Sequence, residues 1–217
     1  ISYLSGSTSQ CLRQTARAMI RNSSFAYCDG IALSCYNVDG GRVTIENSEI
    51  MCSGNWALTV QGSGGAPLVV RDTVFDSPLG DVLLTGESAE VLLVDCVFDP
   101  RKIVFNRDSG RLTIQWTRRF MVIDRVSRRP VPGAVVRAEA KDRADQVTAV
   151  EAPTDSKGIA SLLLSERVVL PGQQTATAWP PMSYEILVRA ADGTVARHPV
   201  SLAVHGKEAE PIIIEVK

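Results

Sequence analysis

The sequence of 217 residues lacks several features that would assign it at once to a class of protein. It contains no run of 18 apolar residues, so no segment is suited to cross a bilayer as a helix. It shows no charged and then apolar leader, although it starts with Ile and not Met, which suggests a piece of a longer polypeptide. Its net charge of −1 provides no basic surplus for nucleic acid or anionic membranes. We therefore expect no nucleic-acid partner and no membrane span.

Motifs for common catalytic chemistries are also missing. The two histidines, His198 and His205, have no cysteine or carboxylate at the spacing of a zinc site. The G-x-S-x-G motif, the phosphate-binding loop, the dinucleotide glycine run and the C-x-x-C redox motif are absent as well. The sequence therefore predicts no zinc, nucleotide or serine-hydrolase chemistry.

What the first half does contain is a phrase of six residues that occurs four times. IRNSSF, IENSEI, VRDTVF and LVDCVF begin at Ile20, Ile45, Val70 and Leu93, at spacings of 25, 25 and 23 residues. Apolar and polar residues alternate around each phrase, which is the period of a strand and not of a helix. A unit of this length with two or three short strands cannot bury its apolar side chains alone, so successive units must stack.

Units that stack at the strand spacing of ~4.8 Å pair their equivalent strands in parallel. We predict an all-β protein whose residues 1–115 form a short right-handed parallel β-helix of about five rungs. IENSEI and VRDTVF resemble the I-x-N-x-x-F rung pattern of the bacterial right-handed β-helix repeat family, over roughly residues 10–115. This family implies a bacterial protein.

Stacking also predicts columns of equivalent side chains. Asn22, Asn47, Asp72 and Asp95 form one column, in which a side chain at a turn hydrogen-bonds its own backbone or its stacked neighbour. Two stacked carboxylates, Asp72 and Asp95, would favour Ca²⁺ or a raised pKa. The alternative is that both point into water at a turn. Calcium is the only cofactor that the sequence suggests.

Four of the five cysteines lie at nearly equivalent positions of adjacent rungs. Cys11 and Cys35 are 24 residues apart, as are Cys28 and Cys52, and the spacing between rungs suits a disulfide. Cys96 is left over and fits as a small buried thiol in the column of Ser23, Ser48 and Thr73. Bridges would imply an oxidising compartment, whereas reduced and simply buried cysteines agree equally well with an odd total.

The second half, residues 116–217, has no internal repeat but reads as six or seven strands separated by Pro- and Gly-containing turns, which predicts a small β-sandwich. Its VPGAVV and TDSKGIA segments resemble the carboxypeptidase regulatory-like or transthyretin-like module, an Ig-like or prealbumin-like sandwich. Arg128 and Arg129 stand where a glycine is usual in that family. The resemblance implies an accessory module without catalysis, found in exported multi-module proteins.

A catalytic interpretation rests on analogy with β-helix enzymes that cleave polysaccharides. The candidate residues are Asp76, Asp99, Arg101 and Lys102, although Asp before Ser-Pro or Pro is also ordinary turn chemistry. Trp56 and Trp179 are candidates to stack on sugar rings, or alternatively to pack.

Two functions follow as expectations. The first is a non-catalytic structural, adhesive or assembly module of a secreted or cell-surface protein. Its partner at the N-terminal rung would be the rest of a longer polypeptide or another subunit. The second is the C-terminal part of a carbohydrate-active enzyme, a polysaccharide lyase or glycoside hydrolase with a polysaccharide partner. The absence of a catalytic constellation, the first rung without an evident cap and the class of the sandwich favour the first, and the enzyme is the alternative.

Overall fold

A computed structural model describes residues 3–4, 10–13, 18–28, 32–36, 43–52, 54–62, 66–86, 88–106, 110–140, 149–172, 182–201 and 210–216. The protein is all-β, with 64% strand and 2% helix, as the alternating apolar residues predict. It divides into two compact units, Ile1–Ile114 with Arg167–Trp179, and Gln115–Glu166 with Pro180–Lys217. Arg167–Trp179, part of the predicted second domain 116–217, falls in the first of these units.

The first unit is a β-solenoid of about 3 turns, which is fewer than the predicted five. Among the described residues, the strands that lie wholly in this unit and its one 3₁₀ turn are β1 Tyr3–Leu4, β2 Gln10–Arg13, β3 Ala18–Arg21, β4 Ser24–Cys28, β5 Leu33–Tyr36, β6 Val43–Glu46, β7 Glu49–Cys52, β8 Trp56–Gln61, β9 Leu68–Arg71, β10 Val74–Asp76, β11 Gly80–Leu84, β12 Glu90–Val94, the 3₁₀ turn Pro100–Lys102 and β13 Ile103–Phe105.

Every third strand of the solenoid pairs in parallel with its equivalent, so three sheets run along it. Their strand orders are β1-β4-β7-β10, β2-β5-β8-β11-β13 and β3-β6-β9-β12. Ile45 lies beside Ile20 on one side and Val70 on the other, as the repeat predicts. Phe25, Ile50 and Phe75 likewise stack in register, and all three are buried. The repeated phrase therefore supplies a continuous apolar column inside the solenoid.

The four residues of the predicted Asn and Asp column share one unusual backbone conformation. Asn22, Asn47, Asp72 and Asp95 all have positive φ, between 45° and 53°. This left-handed region is costly for most L-residues but accessible to Asn and Asp, whose short polar side chains bond locally. The Nδ2 of Asn47 also donates to the Oδ1 of Asn22 at 2.6 Å, one rung away. Each phrase therefore carries Asn or Asp where the chain turns sharply between two sheets.

The residue after each of these corners closes the same turn with its side chain. The hydroxyls of Ser23, Ser48 and Thr73 donate to the carbonyl oxygens two residues before them, at 2.9, 2.8 and 2.7 Å. Cys96 occupies the equivalent place, and its Sγ lies 3.4 Å from the carbonyl oxygens of both Val70 and Val94. Burial raises the pKa of the Cys96 thiol to about 12, so this cysteine is an unreactive packing group.

The strands of the second unit belong to two groups. β15 Val135–Ala140, β16 Val150–Pro153, β18 Ser183–Arg189 and β19 Val195–Ser201 form an antiparallel sheet in the order β16-β15-β18-β19. β20 Ile212–Val216 pairs in parallel with the end of the long strand β14 Arg111–Asp124. The long strand β17 Ile159–Val169 also pairs with β14. β14 enters this unit from the first, and β17 leaves it again.

The two sequence segments that resemble the carboxypeptidase regulatory-like module are bonded to each other. The hydroxyl of Thr154 donates to the carbonyl of Val131 at 2.7 Å and accepts from the amide of Ala134 at 3.0 Å. Gly158 has φ +73°, and a Cβ there would lie 2.7 Å from the carbonyl oxygen of Val122. The TDSKG turn therefore requires glycine at its last position.

Arg128, which stands where that family usually has glycine, adopts φ +59°. The position thus keeps the left-handed conformation that glycine would provide at lower cost. Its guanidinium forms an ion pair with Glu215 of β20. Arg128 therefore combines a left-handed turn conformation with a side-chain contact to β20.

The corner conformation predicts opposite responses to the same pair of substitutions at two neighbouring positions. At Asn47, we expect alanine to be less stable than glycine by about 1–2 kcal/mol, because only glycine tolerates positive φ without cost. At Glu49, an exposed strand position, glycine should instead be less stable than alanine by about 0.5–1 kcal/mol. Urea unfolding of N47A, N47G, E49A and E49G measures both differences. The same rank order at both positions would contradict the corner assignment.

Candidate functional site

Four of the residues singled out as catalytic candidates lie together where the chain turns from one sheet of the solenoid into the next. This acidic corner consists of Asp76 at the end of β10, Asp81 in β11, and Asp99, Arg101 and Lys102 in and before the 3₁₀ turn. Register brings its parts together, because Val82 pairs with Ile103 and so places Asp81 beside Lys102. The structure therefore assembles the predicted group and adds Asp81 to it.

Asp81 is the member of the corner that sequence analysis missed. It is 1% exposed, and its two carboxylate oxygens accept hydrogen bonds from the amides of Ser77 at 3.2 Å and Asp99 at 2.7 Å. In the aligned rungs, the same column holds Ala32 and Ala57, both buried. An Asp at a position that is otherwise alanine is the signal that could have identified this residue.

The exposed members of the corner are bound to one another. Asp99 accepts from the backbone amide of Arg101 at 2.9 Å, so it caps the 3₁₀ turn. The same carboxylate also accepts from Nε and Nη2 of Arg101, at 3.0 and 2.8 Å. Lys102 Nζ lies 3.7 Å from Asp76 Oδ1. Each of the two cationic side chains, Arg101 and Lys102, therefore has a carboxylate partner within the corner.

The environment shifts the pKa values of two carboxylates of the corner in opposite directions. Desolvation raises the pKa of Asp81, and it outweighs the two amide hydrogen bonds and the charge of Lys102. The hydrogen bond from the Arg101 side chain, followed by the one from its amide, lowers the pKa of Asp99. Such divergence is typical of acid and base pairs in active sites, but ion-pair networks with a structural role produce it too.

The corner is poorly arranged for acid–base chemistry on a bound substrate. Asp81 has the raised pKa that a general acid requires, yet its oxygens bind two backbone amides and are shielded from solvent. Asp99 is held ionised by Arg101, and that pairing occupies the guanidinium that a lyase would use as its base. What the arrangement does is join the turn after β10 to the turn after β12.

Asp72 and Asp95, the predicted calcium ligands, occupy successive rung corners with positive φ. Asp95 is 9% exposed, whereas Asp72 is exposed. The described residues contain no group of three or more His, Cys, Asp or Glu side chains that could hold a metal ion. A calcium site at Asp72 and Asp95 stays a prediction.

Of the two tryptophans proposed to stack on sugars, Trp56 lies within the described residues. Trp56 begins β8 and is partly exposed, and its ring lies directly over Gly80 of the next rung, where a Cβ would come within 1.9 Å of Cζ3. One face of this ring is therefore occupied by backbone. Trp179 lies outside the described residues.

The cysteine pairs differ in register. Cys28 and Cys52 are direct partners in neighbouring strands, across a local irregularity, and their side chains fall outside what the structure describes. Cys11 pairs with Ser34, whereas Cys35 pairs with Leu12 and is a buried thiol. The register therefore does not support a bridge between Cys11 and Cys35, and a bridge between Cys28 and Cys52 stays a prediction.

Comparison with known proteins gives no match to a family model, to a curated protein or to a solved structure. None of the described helices is long and apolar enough to cross a membrane.

Removal of the Asp81 carboxylate should be costly for stability. In D81A, the amides of Ser77 and Asp99 lose their acceptor, and we expect about 2–4 kcal/mol lower unfolding free energy. D76A is the matched control, because Asp76 contributes one exposed ion pair worth less than about 1 kcal/mol. Urea unfolding at neutral pH measures both. Equal stability of D81A and D76A would contradict the role of Asp81.

The same carboxylate should affect the pH dependence of stability with a definite sign. Because the folded-state pKa of Asp81 is raised, the folded protein binds its proton more tightly than the unfolded chain does. The part of its contribution that comes from this tighter proton binding is present below the ordinary pKa of 3.8 and is lost as pH rises through the folded value, whereas the hydrogen bonds to the two amides persist. The stability difference between wild type and D81N should therefore shrink as pH rises above about 4.

Proposed function

We propose that this chain is a non-catalytic structural or adhesive module of a secreted or cell-surface multi-module protein. The observation that carries the proposal is the state of the acidic corner. Its ionic groups bind each other and the backbone, and its one carboxylate with a raised pKa is buried. These contacts stabilise a turn and already occupy the acidic and basic groups of the corner.

The proposal includes a finer assignment of both units. Parallel strands joined by crossovers are right-handed in nearly all proteins, which supports a right-handed β-helix for the first unit. The hydrogen bonds between Thr154 and the VPGA segment, together with the antiparallel sheet, support a carboxypeptidase regulatory-like sandwich for the second. Modules of that class are accessory parts of exported proteins, so export follows from the assignment. Fractionation of cells that produce the parent polypeptide tests export, and recovery from the cytoplasm alone would contradict it.

An enzyme that acts on carbohydrate is the second candidate, and one observation favours it. Asp81 and Asp99 lie in one corner with pKa values displaced in opposite directions, as in pairs of catalytic carboxylates. Trp56 lies one rung below Asp81, since it pairs with Gly80. Polysaccharide would then be the substrate, and Ca²⁺ at Asp72 and Asp95 would be the cofactor.

Release of reducing ends from polygalacturonate, alginate and cellulose, with and without Ca²⁺, distinguishes the two candidates. For the structural module we expect no release above the level of the D99N R101Q double variant, since that variant disrupts only the corner. Activity in the wild type that disappears in D99N R101Q, with the far-UV spectrum unchanged, would overturn the proposal in favour of the enzyme.

Assembly is the second part of the proposed structural role. Among the described residues, β1, β2 and β3 are the outermost strands of their sheets at the first rung. An edge strand presents backbone groups that pair with another chain, and β3 also carries Met19, which is 63% exposed. A second subunit, or the rest of a longer polypeptide, would fit this edge.

Sedimentation velocity over a range of protein concentrations tests association through the first rung. We expect reversible self-association that M19K weakens, because a lysine on an edge strand opposes pairing. L79K is the control, since Leu79 is 58% exposed but lies near a later rung. A wild-type protein that remains monomeric, or variants that weaken association equally, would contradict assembly at this edge.

A further inference from the structure

The antiparallel sheet of the second unit has one face in the core and one face toward solvent. Val136, Ala138, Ile186 and Val188 of β15 and β18 are buried on the inner face. The outer face carries a concavity of about 600 Å³ within the same unit. The residues of its lining that matter here, which we call the arginine face, are Val135, Arg137, Leu187, Arg189, Val195 and Arg197.

Strand register arranges the arginine face as a checkerboard of cationic and aliphatic side chains. Leu187 of β18 lies between Arg137 of β15 and Arg197 of β19. In the next row, Arg189 of β18 lies between Val135 and Val195. Val135 and Val195 are 36% and 56% exposed. Apolar contact area and cationic groups therefore alternate over three neighbouring strands.

The three arginines differ in whether they already have a counter-ion. Arg137 Nε binds Glu139 Oε1 at 2.8 Å. Within the part of the chain that the structure describes, neither Arg189 nor Arg197 forms an ion pair, and both are exposed. Arg189 and Arg197 occupy diagonal positions of adjacent strands, where Cα atoms are roughly 7–8 Å apart and long side chains reach each other.

Two adjacent guanidinium groups beside aliphatic side chains are suited to a ligand that offers both carboxylates and an apolar group. We propose that the arginine face binds an extended peptide segment with acidic residues at positions i and i+2 and an apolar residue at i+4. Residues i and i+2 of an extended chain lie on one side, roughly 6.6 Å apart, which matches the diagonal separation of Arg189 and Arg197. Arginine binds carboxylates through two parallel hydrogen bonds.

The composition of the concavity favours a peptide over an acidic polysaccharide. Its apolar surface comes from Val135, Leu187 and Val195, which suit an aliphatic side chain, and the described residues of its lining include no aromatic ring on which a sugar could stack. Glu139 and Glu151 also line it. Those carboxylates would repel a polymer that carries a negative charge on every unit, whereas a short segment with two acidic residues avoids them.

Fluorescence anisotropy at low salt tests this inference. The probe is a peptide of sequence Asp-Ser-Asp-Ser-Leu-Ser that carries the label at one end and a blocking group at the other. We expect saturable binding that the R189Q R197Q double variant weakens about tenfold or more. R129Q is the matched control, because Arg129 is exposed outside this face, and its affinity should stay within about twofold of wild type. A peptide with Asn in place of both Asp residues should lose binding.

Further comparisons decide the ligand class. A peptide with Ser in place of Leu should bind severalfold more weakly if the aliphatic residues contribute contact area. Absence of binding, or equal affinity of wild type and R189Q R197Q, would overturn the inference. Arginine-dependent binding of oligogalacturonate without binding of the peptide would overturn it as well, since the ligand would then be a polysaccharide. Far-UV spectra of the variants show whether the sheet is intact.

Discussion

The left-handed corner residue of each rung is the constraint on which the solenoid depends. Asn22, Asn47, Asp72 and Asp95 adopt positive φ in the short turns that take the chain from one sheet into the next. Because the corner fixes where one strand ends and the next begins, it also fixes which side chains of both strands point inward. A slip of one residue would expose the apolar column of Phe25 and its equivalents. The solenoid therefore requires both Asn or Asp at the corner and alternating apolar residues beside it.

The repeated phrase predicted the solenoid well because its corner and its two strands vary little in length. Equivalent residues are 25 apart at Ile20 and Ile45, and 23 apart at Val70 and Leu93. The second sheet is less regular, since Val82 pairs with Ile103, 21 residues on, whereas Leu33 pairs with Leu58, 25 residues on. Differences in loop length account for these differences in spacing between paired residues. A period near 25 therefore placed Cys11 and Cys35, 24 residues apart, at nearly equivalent positions, although the register here has a spacing of 23 and pairs Cys35 with Leu12.

Asp81 shows why the acidic corner was only partly predictable. Its importance comes from burial and from its hydrogen bonds to the amides of Ser77, four residues before it, and Asp99, 18 residues after it, and no local motif records these. Asp76, Asp99, Arg101 and Lys102 stood out only by analogy with β-helix enzymes that cleave polysaccharides. The sequence could name these groups, but only their contacts distinguish a network that holds two turns together from a pair of carboxylates that share a substrate.

Charge is used differently in the two units. In the acidic corner, Asp99 with Arg101 and Asp76 with Lys102 neutralise each other locally, so the corner attracts a charged ligand weakly. On the outer face of the antiparallel sheet, Arg189 and Arg197 lie beside exposed aliphatic residues. Single exposed apolar residues are common on surfaces, but their alternation with cations over three strands restricts what can bind. A ligand at this face must replace the water that hydrates two guanidinium groups, and it must also cover aliphatic surface. Neither a purely anionic nor a purely apolar molecule does both.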